Sequence, residues 1–390
     1  MPRILRASQP ASPCGSYCGL GHEHTTTAII HKLYCRVLKR RAVKFRSQTN
    51  TFIAKRFVGN HADRADTMRK SLTYSTVSYL TVVLILSVSE ACGQQKDISK
   101  ILWTANWSPD NKYIAVGGVD KKIRIFSGKS FELLKVLENN TEIQRMSWHP
   151  YLNVLAVAAL GDGSKLIDIE KDSIIHMKGA NANGTRAMGW NHKGDLLANA
   201  DYEGEITIWN QKGELIRTIK KENTISNVAI DWHPSKNEFI ALSESVRIYN
   251  AEGKLLNKFE HRKENVLMLC VKWHKSGDFF VIGDYGDKDN GYKPLLQYWK
   301  SNGTLMKEIN ISKSEYRNVT WTKRGDKLAT ASDVLRIWTK NGDLVAEGLS
   351  TDNLWGVDWS SDGKFVVTSS FDGHIKIWDS NAKLIQEIIY

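Results

Sequence analysis

The amino-acid sequence predicts an all-β fold, a seven-bladed β-propeller of four-stranded antiparallel blades, over residues 101–390. A phrase that begins at a tryptophan occurs seven times, at intervals of 41, 42, 42, 41, 48 and 38 residues. Within each unit, segments that alternate apolar and polar side chains are separated by turn residues, as strands are. One such unit cannot bury both of its faces, whereas a closed ring buries each face against a neighbour. The phrases begin at Trp107, Trp148, Trp190, Trp232, Trp273, Trp321 and Trp359.

The four strands of a unit are clearest in the last one, where we expect Leu354–Trp359, Phe365–Ser370, His374–Trp378 and Leu384–Ile389. Asn302-Gly303 and Asn341-Gly342 favour tight hairpins because glycine adopts positive φ without strain. The third strand of most units ends in an aromatic residue, and in the second unit we expect Ile169 to take that position. These aromatic residues are Phe126, Trp209, Tyr249, Trp299, Trp338 and Trp378.

The last unit, Trp359-Ser-Ser-Asp-Gly-Lys through Trp378-Asp379, resembles the repeat of the WD-repeat β-propeller family. Other units end differently, for example as Trp209-Asn210, and none opens with the Gly-His pair usual in the family. The resemblance therefore implies the fold with an incomplete Asp–His–Ser/Thr–Trp hydrogen-bond network. We expect the blades to cohere through apolar and aromatic packing, and the C-terminal strand to complete the last blade in place of the family's N-terminal latch.

The positive charge of the chain lies almost entirely at its front. The net charge is +12, from 54 Lys and Arg against 42 Asp and Glu. Residues 1–67 hold 12 basic and 3 acidic side chains, whereas residues 92–390 hold 40 and 38. The repeat region is thus nearly neutral, and no nucleic-acid partner is expected. We expect residues 1–67 to be unstructured or not part of the natural protein.

Residues 68–91 are typical of a secretory signal peptide: a basic start, an apolar stretch and small residues before Cys92. A transmembrane helix is the alternative, but polar residues interrupt the apolar run. Ser89-Glu90-Ala91-Cys92 resembles the lipobox of bacterial lipoproteins, although Glu90 departs from it. The resemblance implies lipidation at Cys92, a tether over residues 92–100, and an exported protein in the periplasm or anchored to the outer membrane. If Met68 is not the natural start, a cytoplasmic location is the alternative.

The sequence favours a binding protein over an enzyme, because it contains no nucleophile elbow, phosphate loop or zinc-protease helix. Histidines follow four of the blade tryptophans, at His149, His192, His233 and His274. A metal ring at the channel mouth is conceivable, but a duplicated turn residue is the simpler interpretation. The insertion Asp284–Gly291 has the composition of a calcium loop without its ligand spacing, and we expect a solvated acidic loop. No metal and no cofactor are predicted.

The WD-repeat resemblance implies that partners bind where the inner strands start and just before the third strands. These positions include one residue at the start of each inner strand, and we expect the partner surface in the sector of blades 6, 7 and 1, where tryptophan and arginine occupy them, with Arg186 more peripheral. We expect a monomeric, non-enzymatic scaffold that binds a protein partner through this loop face. The alternative is a secreted propeller enzyme or small-ligand binder with carboxylates and histidines at the channel mouth. The candidate partner-binding residues are Trp103, Arg186, Glu315, Arg317, Asn353, Trp355 and Phe371.

Overall fold

The computed structural model describes residues 97–159, 163–178, 184–219 and 228–390. This part of the chain forms 28 strands and two 3-10 helices. The strands make seven four-stranded antiparallel sheets, each built from four consecutive strands in sequence order. The first strand of each sheet contacts the first strands of its two neighbours, and the first strand of sheet 7 contacts that of sheet 1. The predicted seven-bladed propeller is confirmed.

The strand bounds follow one scheme, in which each blade has its inner strand first and its outer strand last. Blade 1 contains β1 (Thr104–Trp107), β2 (Tyr113–Gly117), β3 (Lys122–Ser127) and β4 (Leu133–Glu138); blade 2 contains β5 (Ile143–Trp148), β6 (Val154–Ala159), β7 (Ser164–Asp168) and β8 (Ser173–Met177); blade 3 contains β9 (Thr185–Trp190), β10 (Leu196–Asp201), β11 (Ile206–Asn210) and β12 (Leu215–Ile219). Blade 4 contains β13 (Ala229–Trp232), β14 (Glu238–Leu242), β15 (Val246–Asn250) and β16 (Leu255–Phe259); blade 5 contains β17 (Met268–Trp273), β18 (Phe279–Asp284), β19 (Leu296–Lys300) and β20 (Leu305–Ile309). Blade 6 contains β21 (Asn318–Trp321), β22 (Lys327–Ala331), β23 (Leu335–Thr339) and β24 (Leu344–Gly348); blade 7 contains β25 (Leu354–Trp359), β26 (Phe365–Ser370), β27 (His374–Asp379) and β28 (Leu384–Ile389).

The four strands predicted for the last unit are all present, and only β27 extends one residue further than expected. Gly303 and Gly342 have φ of +84° and +78°, as the two predicted Asn-Gly turns require. The short helices are η1 (Ile98–Lys100), at the end of the predicted tether, and η2 (Lys288–Asn290), in the blade 5 insertion.

Each blade tryptophan belongs to a row of paired residues that crosses its sheet. In blade 7, Trp359 pairs with Val366, which pairs with Trp378. The same row in blade 2 runs from Trp148 through Leu155 to Ile167. The prediction that Ile169 occupies this position is therefore wrong by two residues, because β7 ends at Asp168 and carries no aromatic residue to mark its register.

The core is divided into seven apolar clusters, and each cluster draws its residues from two successive blades. One of them joins blade 7 to blade 1, with Val367 and Ile375 against Trp107 and Val116. Second strands are almost wholly buried, whereas outer strands such as β28 alternate exposed and half-buried residues. Cohesion between blades thus comes from apolar and aromatic packing, as the incomplete polar network led us to expect.

Part of the predicted polar network is nevertheless present inside three blades. The indole N–H of Trp209, Trp338 and Trp378 donates to Thr207, Thr330 and Thr368 at 2.8, 3.1 and 2.9 Å. These bonds satisfy donors that would otherwise be buried without a partner. They fix the angle of each ring within its own blade.

Three of the four repeated histidines link their blade to the next one. Nε2 of His149, His233 and His274 lies 3.0, 3.2 and 2.9 Å from the carbonyl oxygens of Gly194, Gly277 and Gly325. Each of these glycines has φ near +75°, and a Cβ there would overlap the histidine ring. Each ring also meets the tryptophan of the next blade with centroids 4.8–5.0 Å apart. These histidines hold blades together, and the described residues contain no cluster of three metal-ligating side chains.

The histidine links require neutral rings. Nδ1 of His149 accepts from the backbone N–H groups of Tyr151 and Leu152 at 3.1 Å, so its proton must lie on Nε2, which donates to Gly194. The same arrangement holds for His233, whose Nδ1 accepts from Ser235 and Lys236. Burial lowers the pKa of both histidines below the usual 6.5.

Acidification should therefore weaken the fold through His149 and His233. The unfolded chain binds protons on these residues more readily than the folded chain, so their contribution is complete above about pH 6.5 and declines as the pH falls below it. Urea unfolding at pH 7.5, 6.5 and 5.5 measures this slope. The double variant His149→Asn/His233→Asn should be less stable at pH 7.5 and should show a flatter slope, with His176→Asn on an exposed strand as the control. An unchanged slope in the double variant would refute the assignment.

Trp378 should be among the most important side chains for stability. It is 2% exposed and packs in the cluster between blades 6 and 7, where its ring lies against Gly348. Truncation of a buried aromatic residue leaves a cavity, so Trp378→Ala should cost about 3–5 kcal/mol in denaturant unfolding. A loss below about 1 kcal/mol would show that the ring does not fill the space between these blades.

Candidate functional site

The inner strands of all seven blades surround a central channel with a cavity of about 280 Å³. Channel mouth here means the end of the channel at which the inner strands begin. Trp103 and Arg317 directly precede β1 and β21, and Arg186 and Trp355 are the second residues of β9 and β25. Four of the predicted residues therefore lie at this one end because their strands run in the same direction through the ring.

Ring closure brings the aromatic candidates of blades 7 and 1 together. The ring of Trp355 lies 6.3 Å from that of Trp103 and 6.4 Å from that of Phe371, measured between centroids. Trp103 is 7% exposed, and Trp355 and Phe371 are half-buried. These three residues form a mostly buried aromatic cluster, and none of the three rings is fully exposed.

Arg317 connects this aromatic cluster to the acidic candidate Glu315. Its guanidinium carbon lies 3.8 Å from the centroid of the Trp355 ring, the geometry of a cation–π contact. Arg317 Nε donates to Glu315 Oε1 at 2.8 Å, and a second guanidinium nitrogen bonds to the same oxygen. The side chains of Arg317 and Glu315 are 18% and 15% exposed. The pair is thus held in one orientation by the ring beneath it and by the carboxylate beside it.

The other two candidates lie at the edges of this group. Asn353 is half-buried, and its carbonyl oxygen accepts from the Phe371 N–H at 2.9 Å, which joins the start of β25 to the loop after β26. Arg186, in blade 3, has its guanidinium 5.4 Å from the ring of Tyr202. The structure therefore brings together Trp103, Glu315, Arg317, Asn353, Trp355 and Phe371, and leaves Arg186 in a neighbouring group.

The sequence reasoning missed two tyrosines at the channel mouth. Tyr285 lies 5.5 Å from the guanidinium carbon of Arg317, and Tyr202 contacts Arg186. Both directly follow the second strand of their blade, as Phe371 does in blade 7. An aromatic residue in this position in alternate blades was the sequence signal that could have identified them.

In the blade 5 insertion, the residue directly before Tyr285 is a buried carboxylate, Asp284. Asp284 is 1% exposed, receives an ion pair from Arg262 at 3.0 Å and accepts the backbone N–H of Leu295 at 2.8 Å. The expectation of a wholly solvated acidic loop is therefore wrong at Asp284, because this carboxylate ties the two ends of the insertion together. Asp287 instead caps η2.

The channel carboxylates are held by internal partners. Asp231 pairs with Lys272 at 2.7 Å and accepts the Trp273 N–H at 2.7 Å. Asp358 accepts from the Trp107 N–H at 2.9 Å and from the Thr320 hydroxyl at 3.0 Å. Burial raises the pKa of Asp358 to about 6. These carboxylates therefore join neighbouring blades: Asp231 links blade 4 to blade 5, and Asp358 links blade 7 to blades 6 and 1.

The comparisons with known proteins support WD40-repeat families. Residues 342–379 match the family "WD domain, G-beta repeat", residues 105–193 match "Anaphase-promoting complex subunit 4 WD40 domain", and residues 202–357 match "Eukaryotic translation initiation factor eIF2A". Together these segments cover parts of all seven blades. The WD-repeat resemblance of the sequence is thus supported beyond its last unit.

Three curated relatives are eukaryotic proteins of low identity. The chain is 28% identical over 184 residues to "Intraflagellar transport protein 122 homolog" of Danio rerio, which covers 45% of this chain and 15% of the relative. It is 24% identical over 215 residues to "Intraflagellar transport protein 80 homolog" of Mus musculus, covering 54% and 26%. It is 23% identical over 120 residues to "Probable cytosolic iron-sulfur protein assembly protein 1" of Kluyveromyces lactis, covering 26% and 36%. The chain thus spans a minor part of each relative, and no enzyme is among the three names.

The predicted export is wrong. The matched relatives are eukaryotic, and their names refer to intraflagellar transport and cytosolic assembly, which contradicts a location in the periplasm or at an outer membrane. The segment 68–91 and Cys92 lie outside the described residues. The prediction of lipidation at Cys92 was based on export, so it no longer has that support. Among the described residues, no helix is long and apolar enough to cross a membrane.

Asp358 should make stability fall as the pH rises from about 4 to about 7. Its folded pKa of about 6 is above the usual 3.8, so the folded chain holds this proton more tightly, and the resulting stabilisation is complete below pH 3.8 and lost above pH 6. Asp358→Asn cannot titrate. The unfolding free energy of the wild type minus that of the variant should therefore decrease between pH 4 and pH 7. A difference that is constant with pH would contradict the burial of this carboxylate.

Proposed function

We propose that the propeller is a non-enzymatic scaffold that binds a protein partner at the channel mouth in the sector of blades 6, 7 and 1. The observation that carries this proposal is the stack of Arg317 on Trp355, which continues to Trp103 and Phe371. Tryptophan and arginine are the residue types that dominate interface energies. Here both are oriented before any partner arrives, which reduces the conformational entropy lost on binding.

The partner-binding residues of the proposal are ranked by their place in this stack. Arg317 and Trp355 form the centre, Glu315 orients the guanidinium, and Trp103 supports the indole from below. Asn353 and Phe371 form the blade 7 edge, and Arg186 contributes at the periphery. The supporting side chains need not touch the partner for their loss to weaken binding.

The scaffold proposal agrees with the names of the relatives, which belong to transport and assembly proteins. By this likeness the partner is sought among intracellular proteins of a eukaryotic cell. The chain is proposed to act as a monomer, since all seven blades come from one chain and none awaits a strand from a second copy.

Variants at the centre of the stack test the proposal. Trp355→Ala and Arg317→Ala should each weaken partner capture at least tenfold, or about 1.4 kcal/mol, with little change in melting temperature. Capture is measured by quantitative mass spectrometry after affinity purification from a eukaryotic cell lysate, followed by titration of the purified partner.

The matched control is Arg324→Ala. Arg324 is exposed and lies beyond the end of β21, whereas Arg317 precedes its start, so the two arginines mark opposite faces of blade 6. Equal capture by the wild type and all three variants would remove the binding site from the channel mouth. A low melting temperature in both central variants would show that the stack is structural.

A further inference from the structure

Blade 4 contains a buried arginine with an unsatisfied nitrogen. Arg247 lies in the third strand, β15, and is 4% exposed. Its Nη1 donates to the hydroxyl of Ser243, whereas its Nε is buried and has no acceptor. Within the described part of the chain, Arg247 forms no ion pair. Because buried donors in folded proteins normally have acceptors, and buried charges have counter-ions, this guanidinium points to an acceptor from outside the chain.

Blade 6 shows which groups satisfy an arginine in this position. Arg336 occupies the same place in its third strand as Arg247, and its Nη1 also donates to a serine hydroxyl, that of Ser332, at 2.9 Å. Its Nε donates to Glu347 at 2.6 Å. The two Nη atoms donate to the carboxylate of Asp333 at 2.7 and 3.1 Å. The two arginines thus share the serine bond, but only the one in blade 6 has carboxylates.

Blade 4 differs from blade 6 at both carboxylate positions. The outer-strand residue that pairs with the arginine is Glu347 in blade 6 and Lys258 in blade 4. Glu244 has the place of Asp333, three residues before the arginine, but it is exposed and forms no ion pair with any described residue. Residues paired across two strands lie on the same face of the sheet, where two like charges are unfavourable. Blade 4 therefore places two cations opposite each other with no carboxylate between them.

Two further blades show that a carboxylate is the usual partner at this strand position. Arg124 in blade 1 pairs with Asp120, and Lys376 in blade 7 pairs with Glu387 at 3.3 Å. The place is also open to solvent, since the side chain of Glu347 is 43% exposed in blade 6. A carboxylate that belongs to another molecule can therefore approach the corresponding place in blade 4.

We propose that Arg247 and Lys258 form a carboxylate-binding site on blade 4, where an acidic side chain of a protein segment takes the place that Glu347 has in blade 6. A carboxylate there accepts from the guanidinium in a charge-assisted bond and neutralises the lysine opposite. Ser243 directly follows β14, as Tyr285 follows β18, so the site lies at the same end of the ring as the channel mouth. It shares no residue with the surface of blades 6, 7 and 1 and goes beyond the proposed function.

The unfolding of Lys258→Glu tests whether Arg247 lacks a counter-ion. This change supplies a carboxylate from the chain itself, as in blade 6, so the variant should unfold at a higher urea concentration than the wild type. Lys254→Glu is the matched control, because this exposed lysine directly precedes the same outer strand and lies at its opposite end. Equal unfolding midpoints for the two variants would contradict the proposal.

A synthetic acidic peptide tests binding without knowledge of the natural partner. The full chain is titrated with fluorescein-labelled peptides of alternating Glu–Gly, Lys–Gly and phosphoserine–Gly, and binding is read by fluorescence anisotropy. The Glu–Gly peptide should bind at least tenfold more tightly than the Lys–Gly peptide, and added salt should weaken it. Arg247→Gln and Lys258→Glu should each reduce its affinity at least tenfold, whereas Lys254→Glu should retain it. Glutamine suits this strand position, since Gln297 occupies it in blade 5.

Three outcomes would overturn the site. Equal losses of affinity in Lys258→Glu and Lys254→Glu would show that the peptide responds only to net charge. Unchanged affinity in Arg247→Gln, with an unchanged melting temperature, would exclude the guanidinium. Binding of the phosphoserine peptide alone would exclude the carboxylate assignment.

The same measurements separate this inference from the proposed function. Arg317 and Trp355 are unaltered in the blade 4 variants, so failure of the peptide test leaves the proposed partner surface intact. Failure of Arg317→Ala and Trp355→Ala to affect a protein partner equally leaves the blade 4 site intact.

Discussion

The junction of blade 7 with blade 1 is the constraint on which the whole ring depends. The Leu102 N–H donates to the Ser370 carbonyl at 3.1 Å, and the Ser369 hydroxyl donates to the Leu102 carbonyl at 2.9 Å. Deeper in the channel, Asp358 accepts the Trp107 N–H across 251 residues of sequence. Without this junction, two blades would each expose an apolar face and the ring would end in open sheets. C-terminal strand β28 completes blade 7, so closure is achieved at the inner strands and not by an N-terminal outer strand.

The candidate site is a direct product of that junction. Trp103 and Trp355 are 252 residues apart in sequence and adjacent in the ring. The hydrogen bonds of Leu102 fix the position of the adjacent Trp103 along the channel axis. The start of β25 fixes the position of Trp355 in the same way. A rigid scaffold thus presents a small polar and aromatic surface on short segments, a common arrangement for binding sites. Arg317 is held in this surface by the Glu315 carboxylate and by the rings of Trp355 and Tyr285.

Much of the fold was predictable because its signals are local and repeated. Turn glycines, strand alternation and the blade tryptophans all act within one unit, and they located the strands of blade 7 almost to the residue. Ile169 was misplaced because its strand has no aromatic residue to fix the register. The histidine links were missed because each one crosses to a glycine in the next blade, 44 to 51 residues away. Export was inferred from a segment whose composition is typical of a signal, but the relatives contradict it.

The candidate site was only partly predictable for a similar reason. Positions carried over from a repeat identify which residues begin an inner strand, and so they found Arg317 and Trp355. Such positions carry no information about the tertiary contacts of a side chain. The burial of Trp103 and the contacts of Tyr202 and Tyr285 were therefore visible only in the structure.

Amide hydrogen exchange of the full chain, measured residue by residue, tests the closure of the ring most directly. The Leu102 and Trp107 amides donate only to blade 7, so their protection reports the junction itself. If the ring is closed as described, both amides should exchange as slowly as the inner-strand amide of Trp273, which donates to Asp231 in the preceding blade. Rapid exchange at Leu102 and Trp107 with slow exchange at Trp273 would show an open ring, and the cluster of Trp103, Trp355 and Arg317 would then have no basis.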